Sequence, residues 1–514
     1  MAWWHKLFNW LRPRPHPAAS RQRRIYIVSD LHLGEEVGAG DAPFVEYINA
    51  LNTEFSAFVA TLTADSADRP TTLVIDGDSF DFIRAVVQPN PIEARLIQAQ
   101  PLTPRQARLG LDSSRQYAVW KLGRIIGFHR PVFEALARLV SAGNDLVFVR
   151  GNHDVELYWP EVRAAIVAEI ARLAGVDEAT AEARVRFEPW FYYEPQLVYV
   201  EHGHQYDPHC SYADLLDPVE DEGRMLALPY ASWSIRHFAP LLHGMPAAEM
   251  DAWGFVDFAR WVFSHSPARI VWAIVTYFRL MIDLLARKSW RHTVGRPATH
   301  ARHLRRLTKL AERAQLPLEV VERIDALKEK PVEERFLGIT LAYYLDRFML
   351  LFLSLVSVVV AAVLPVAVAI RVAAICGVLL VTLALHEVTR RLRDRRAEPH
   401  LPEKALLLSR LVDVPFVVFG HSHQAGIHAA PPTRPGAAPC HYYLNSGHWV
   451  ARYRGQPSLF NYIEVIAEGG VRRARLMRWQ GDGRAPFEVA VAAPPAADEC
   501  GDGTPAIGAA GDDE

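Results

Sequence analysis

Apolar residues along this chain come in short unbroken runs that stop abruptly at polar clusters. Residues 25–28, 73–75, 146–149, 197–200 and 414–419 are such runs, rich in Val, Ile, Leu, Phe and Tyr, which is the pattern of buried strands. Between the first two, residues 43–63 carry Phe44, Ile48, Leu51, Phe55, Phe58 and Leu62 at spacings of three and four, which predicts an amphipathic helix. A stretch of helical and loop character follows the second run as far as Gly127, and residues 131–142 read as another packed helix. Each run ends on metal-type side chains: Asp30 and His32, then Asp78 and Asp81, then Asn152, His153 and Asp154, then His202 and His204, then His421 and His423. Five strands delivering such groups at the same end predict one site at the rim of an α/β scaffold, with helices covering the strands.

A second pattern interrupts the first. More than 200 residues separate His202 from Gly420, far beyond an ordinary loop, so the insertion is expected to be a unit of its own. Residues 348–370 hold no charge, and after Arg371 neither do residues 372–385. That length meets the roughly 20 residues needed to cross a bilayer. His202 and His421 flank the insertion and belong to the same rim site, so the chain must leave and return on one side, and the number of crossings must be even. Two arms of about 18–20 residues around Pro365 then form a hairpin. Arg335 and Arg347 precede it and Arg390, Arg391, Arg393, Arg395 and Arg396 follow it, placing both ends in the cytoplasm; Arg371 would reach the far interface. A re-entrant or in-plane hairpin, or a buried helix pair, are the alternatives.

Elsewhere in the insertion, residues 261–285 mix apolar residues with Arg269, Arg279 and Asp283, which suits either a helix at the lipid surface or one packed on the hairpin. The basic residues Lys288, Arg291, Arg296, Arg302, Arg305, Arg306 and Lys309 follow and suit anionic headgroups; no nucleic-acid module is recognisable, and no nucleic-acid partner is expected. Residues 1–24 place Trp3, Trp4, Phe8 and Trp10 beside Arg12, Arg14, Arg21, Arg23 and Arg24, without the apolar core of a secretory signal. They read as an interfacial segment or a disordered terminus. Residues 483–514, rich in Ala, Pro, Gly and acid, read as a disordered tail. The expected division is 1–24, a first catalytic part 25–209, the insertion 210–409 with its hairpin about 345–386, a second catalytic part 410–482, and the tail.

Composition changes this picture little. The chain has 514 residues, too many for one core. Lys+Arg 56 against Asp+Glu 58 gives a net charge of -2, which favours neither a nucleic-acid binder nor an acidic surface. Cys210, Cys376, Cys440 and Cys500 have no paired spacing, so neither a disulfide framework nor a thiolate zinc site is expected and a reducing compartment fits.

Oxygen and imidazole donors without thiolate suit manganese, iron or zinc. Two such cations bridged by a carboxylate can bind a phosphate ester and activate water. Asp30-Leu-His32, Gly77-Asp78-Ser-Phe-Asp81, Gly151-Asn152-His153-Asp154, His202 and Gly420-His421-Ser-His423 occur in the order of the calcineurin-like metallophosphoesterase superfamily, which the chain resembles over roughly residues 25–205 and 410–480. The resemblance implies a four-layer αββα sandwich with a helical, membrane-inserting insertion, and a binuclear centre with manganese favoured. It implies one ion held by Asp30, His32, Asp78 and His423, and the other by Asp78, Asn152, His202 and His421, with Asp78 bridging. His153 then matches the residue that assists phosphate binding or leaving-group protonation, and Asp154 would orient it. Relatives that hydrolyse UDP-2,3-diacylglucosamine are similar in motif order but often carry an acidic residue after His-Gly and Arg in place of His153. His204 departs from that pattern, and either supports the site or only packs. Tyr442 to Trp449 resembles the strand and turn that follow the last histidine pair.

The resulting expectation is a membrane-associated phosphoesterase with a cytoplasmic site facing the bilayer and a phosphorylated or pyrophosphate-bearing lipid as substrate. The rivals are a tethered enzyme acting on soluble nucleotides or phosphoproteins, and a non-catalytic scaffold.

Overall fold

The computed structural model describes chiefly residues 24–34, 42–97, 110–238, 296–334, 345–397 and 400–492, with short breaks inside them. The expectations for residues 1–23, for almost all of 261–285 and for 493–514 lie outside the described residues.

The five expected strands form within two residues of their expected bounds: β1 (Arg24–Val28), β2 (Thr71–Asp76) and β3 (Asp145–Val149), and further on β6 (Val198–Glu201) and β7 (Phe416–Phe419). The sequence pattern did not mark β4 (Val185–Glu188), β5 (Phe191–Glu194), β8 (Gly426–Ala429), β10 (Asn461–Glu468), β11 (Val471–Gln480) and β12 (Gly483–Ala492); β9 (Tyr442–Asn445) matches the strand expected after the last histidine pair. They make a seven-stranded sheet ordered β12-β11-β10-β1-β2-β3-β4 and a five-stranded sheet ordered β8-β9-β7-β6-β5. β1, β2, β3 and β4 run parallel, as do β6, β7 and β9. The protein is therefore of mixed α/β class.

Strand side chains alternate between faces, and here both faces are covered, which explains why the runs read as continuously apolar. Ile25, Ile27, Val74, Val147 and Val149 of the larger sheet share one apolar cluster with Val198, Val200, Phe416 and Val418 of the smaller. The alternate residues Tyr26, Val28, Leu73, Ile75, Leu146 and Phe148 join a second cluster with Leu51, Phe55, Phe58 and Leu62 of helix α1 (Ala42–Asp65). Helices α2 (Arg115–Phe128), α3 (Arg130–Ser141) and α4 (Pro160–Ala174) contribute Leu122, Phe133, Leu136, Ile166 and Ile170 to the same cluster. Burial of side chains of this size stabilises by about 1.5–3 kcal/mol each.

The insertion is not wholly separate, as its length suggested. Helices α5 (Arg296–Ala314) and α6 (Leu318–Ala326) place Leu307, Leu310, Val321 and Ile324 in the main core, and Arg313 of α5 donates to Phe187 O and to Glu188 of β4 at 2.9 and 3.0 Å. His303 of α5 lies between Asp214, at 3.4 Å, and Asp325 of α6, at 2.9 Å. Hydrogen bonds to these carboxylates push its pKa up to about 9 against a smaller opposing effect of burial. A folded-state pKa above the ordinary imidazole value stabilises fully below about pH 6.5 and ceases to as pH rises through about 9. The melting temperature of the protein should therefore exceed that of His303→Ala by more at pH 6 than at pH 9.5; a gap that stays constant or widens would show that the charge of His303 does not dock these helices.

Helices α7 (Leu345–Val363) and α8 (Val368–Ala397) pack together. Thr382 Oγ1 lies 3.0 Å from Ser354 Oγ and Arg371 Nη1 3.4 Å from Ala362 O, so the two run antiparallel about the turn containing Pro365. Val368–Thr389 spans 22 residues with mean hydropathy 2.5 and none of its most apolar window buried, about 33 Å of helix, long enough for a hydrocarbon core of about 30 Å. Helix α7 is 19 residues long, in keeping with an arm of 18–20, and among the described residues its apolar stretch is Met349–Val363. Helix α9 (Leu401–Leu411) then returns the chain to the core through Leu401, Ala405 and Leu408.

Two expectations need correction. The tail does not begin at 483, because β12 pairs antiparallel with β11; Phe487, Val489 and Val491 alternate there among Ala and Pro, which disguised the period. Cys440 is disulfide-bonded, while Cys210 and Cys376 are free, so the cysteines no longer argue for a reducing compartment. Sequence spacing could not show this, since a disulfide depends on distance in space.

Candidate metal centre

The parallel strands β1, β2 and β3 end side by side, and the turns beyond them are tied by main-chain bonds. Asp30 N donates to Gly77 O at 3.2 Å, His32 N to Asp78 O at 2.9 Å, and Trp449 N to Asp30 O at 3.1 Å. From the other sheet, Gly420 N donates to His202 O at 3.2 Å, joining the ends of β6 and β7.

Five of the nine non-glycine residues with positive φ among those described are Asp30, His32, Asp78, His421 and His423, with φ between 46° and 63°. Each such conformation costs on the order of 1–3 kcal/mol and persists where surrounding structure enforces it, commonly at functional sites. Close approach adds to this: a Cβ on Gly151 would lie 2.2 Å from Asp78 Oδ1, and one on Gly420 would lie 2.6 Å from Asp30 Oδ2.

The side chains converge accordingly. Asp30, His32 and His423 form one group whose donor atoms all lie within 4.8 Å of one another, and Asp30, Asp78 and His202 form another. His423 Nε2 lies 3.1 Å from Asp30 Oδ1. Asp78 Oδ2 stands between two rings, 3.3 Å from His202 Nε2 and 3.7 Å from His32 Nε2. The far nitrogens set the roles of the near ones. His202 Nδ1 donates to Asp76 O at 3.0 Å and His32 Nδ1 to Asp81 Oδ2 at 3.2 Å, leaving both Nε2 atoms as lone-pair donors, as metal-binding histidines are commonly arranged. Those two Nε2 atoms and Asn152 Oδ1 are buried without a hydrogen-bond partner. Orphaned buried polar atoms cost about 1–3 kcal/mol apiece, and two such nitrogens beside Asp78, with Asn152 Oδ1 on the turn that His153 N ties to Asp78, fit a cation.

Charge points the same way. Burial alone would raise the pKa of Asp30 and Asp78, yet His423 and His202 hold Asp30, and His202 and His153 hold Asp78, below the usual carboxylate range. Burial opposes protonation of His32, but its bond to Asp81 and the charge of Asp78 push it up to about 9. Three buried carboxylates require nearby positive charge, which imidazolium or a divalent cation supplies.

Asp154 does not orient His153. Its two oxygens accept Gly151 N at 2.6 Å and Ser79 N at 2.8 Å, so it ties the turn after β3 to the turn after β2. The ring of His153 is held instead by Asp81, whose Oδ2 accepts Nδ1 at 3.0 Å, and His153 N donates to Asp78 Oδ1 at 2.8 Å. The resemblance implied Asp154 for this role, but its side chain is turned toward main-chain amides.

His421 is placed differently from the other ligands. Its ring centroid lies 5.4 Å from that of His202, but its Nε2 lies 3.0 Å from Asp207 Oδ2, and Asp207, Cys210 and His421 form a third group of possible ligands. His204 belongs to no such group: it is buried, its ring 5.5 Å from His202 and 5.8 Å from Tyr212, and burial followed by the charge of His202 holds its pKa well below the ordinary value. It packs as a neutral ring. His448, which the sequence did not single out, sits with its ring 5.4 Å from His423. Asp207 was missed as well, although its place five residues after His202 was a signal.

No protein-family model matches the chain, and no curated protein matches it.

Proposed function

We propose that this protein is a metallophosphoesterase of the calcineurin-like kind, a four-layer αββα sandwich with a binuclear centre at the exit of β1, β2, β3, β6 and β7. The observation carrying this reading is the pair of buried, unpartnered Nε2 atoms of His32 and His202 on either side of Asp78 Oδ2, within the groups that also hold Asp30. Asp30, His32, Asp78 and His423 would hold one ion, and Asp78, Asn152, His202 and His421 would hold the other. Oxygen and imidazole donors suit manganese, iron or zinc, and the resemblance to the calcineurin-like superfamily favours manganese. When bound, such ions neutralise phosphate oxygens and acidify water for in-line attack on phosphorus. His153, its ring held through Nδ1 by Asp81, presents Nε2 to the departing oxygen, and as an imidazolium it would supply general-acid help worth about 10²–10⁴ in rate. Asp154 keeps the two ligand-bearing turns in register.

The exposed apolar span of α8 and the arginines beyond it support a cytoplasmic site held against a bilayer, where a phosphorylated or pyrophosphate-bearing lipid is within reach. The test is to strip the detergent-purified protein with chelator and restore Mn²⁺. Metal per chain is then measured, with hydrolysis of p-nitrophenyl phosphate, bis-p-nitrophenyl phosphate and a phosphatidate or lipid pyrophosphate in mixed micelles. Two ions per chain and Mn²⁺-dependent turnover, fastest on lipid, are expected. Equal turnover of soluble esters overturns the lipid assignment, and metal binding without any hydrolysis leaves a scaffold.

A further inference from the structure

The insertion begins immediately after β6, and its first residues return to the metal centre. The 3-10 turn His204–Tyr206 brings Tyr206 onto Phe419, ring centroids 5.4 Å apart and nearly parallel at 21°. Phe419 is the last residue of β7, two before His421. The next residue after Tyr206 is Asp207, and the stacking fixes its distance to His421. One oxygen of Asp207, Oδ1, accepts His209 N at 2.9 Å and shapes the turn; the other, Oδ2, accepts His421 Nε2 at 3.0 Å. A ring that donates from Nε2 has its lone pair on Nδ1, so His421 is held in the tautomer that ligates through Nδ1, opposite to His32 and His202, which donate from Nδ1. The same segment also reaches the other side of the centre. Tyr212 OH donates to Asn152 O at 3.3 Å and Ser232 Oγ to the same oxygen at 3.5 Å, and Ser232 is fully buried.

We infer that residues 207–232, the opening of the insertion, are a positioning arm for one ion only: Asp207 sets the orientation and tautomer of His421, and Tyr212 and Ser232 fix the main chain of Asn152. This rests on the two-ion reading above, in which His421 and Asn152 serve the same ion, whereas His32 of the other ion is held from behind by Asp81. A carboxylate behind a ligating histidine is typically worth 10–100-fold in metal affinity.

The experiment is Mn²⁺ titration of the full-length chelated protein, read by bound metal per chain and by the spin-coupled signal of a manganese pair. The variants are Asp207→Ala, Asp207→Asn and Tyr212→Phe. Wild type should bind two ions. Asp207→Ala should bind one with unchanged affinity and the other 10–100-fold more weakly, and the coupled signal should disappear at Mn²⁺ concentrations that fill the wild-type pair. Asp207→Asn keeps one oxygen to accept His209 N, so its turn should survive, but its amide NH2 cannot accept from His421 Nε2, so the same ion should weaken about as much as in Asp207→Ala. Tyr212→Phe should weaken the same ion. Unchanged affinity for both ions in Asp207→Asn and Asp207→Ala, or equal weakening of both ions, overturns the positioning arm. A wild type that binds a single ion overturns the two-ion reading itself, and the arm with it.

Discussion

Asp78→Ala is expected to lose both ions and reduce turnover to background. Asp78 Oδ2 lies between the Nε2 atoms of His32 and His202, and Oδ1 holds the main chain of His153. Removing the carboxylate withdraws a ligand from each proposed ion and frees the turn that carries the proton donor. Lewis-acid stabilisation by bound metal is worth several kcal/mol, and at about 1.36 kcal/mol per tenfold change the loss in rate should be about 10³-fold or more. Asp78→Asn separates charge from shape, since it still accepts from His153 N but carries no negative charge. Its circular dichroism should match wild type while metal content falls below one ion per chain. Two retained ions, or turnover within tenfold of wild type in either variant, would remove Asp78 from the centre of the site. By contrast His204→Ala should keep both ions, because its ring, packed against His202 and Tyr212, belongs to none of the possible metal groups.

What could be read from the sequence follows from which features are local. The strands that bear ligands are buried on both faces, so β1, β2, β3, β6 and β7 announced themselves as apolar runs. β4 and β5 did not, because Arg186, Glu188 and Glu194 interrupt them with partly exposed polar positions. The residues that gather into possible metal groups were legible for the same reason: Asp30, Asp78, His202 and His423 end those runs. Their supports were not, since a support is defined by direction in space. Asp81 serves two rings across 49 and 72 positions of sequence, and Asp207 meets His421 across 214. Asp154, to which the resemblance gave the task of orienting His153, binds amides instead. The antiparallel hairpin was legible from the uncharged run, whereas the docking of α5 and α6 through Arg313 and His303 depends on tertiary partners.

Gly151→Ala should be nearly as damaging as loss of a ligand, although it adds one methyl group and removes no chemistry. The added Cβ would stand 2.2 Å from Asp78 Oδ1 and 2.4 Å from Asp78 N, and the second contact is main chain, which no rotamer change can relieve. Either the turn after β2 or the turn after β3 must move. Gly151 N is also held by Asp154, whose other oxygen holds Ser79 N, so movement at one turn is transmitted to the other. Overpacking of this kind costs about 1–3 kcal/mol in stability, and a ligand displaced by about 1 Å can cost on the order of 10² in rate. The variant should therefore fold with a lowered melting temperature, bind Mn²⁺ more weakly and lose about 10²-fold or more in kcat. Gly127→Ala is the control. Gly127 lies inside α2, where an added Cβ meets nothing within 4 Å, so it should raise stability by up to about 1 kcal/mol through helix propensity and leave kcat unchanged. Measuring both variants by thermal melting and by Mn²⁺-dependent turnover distinguishes a crowded metal rim from general sensitivity to substitution. Wild-type kcat in Gly151→Ala would mean that the turns beyond β2 and β3 do not meet as closely as the site requires.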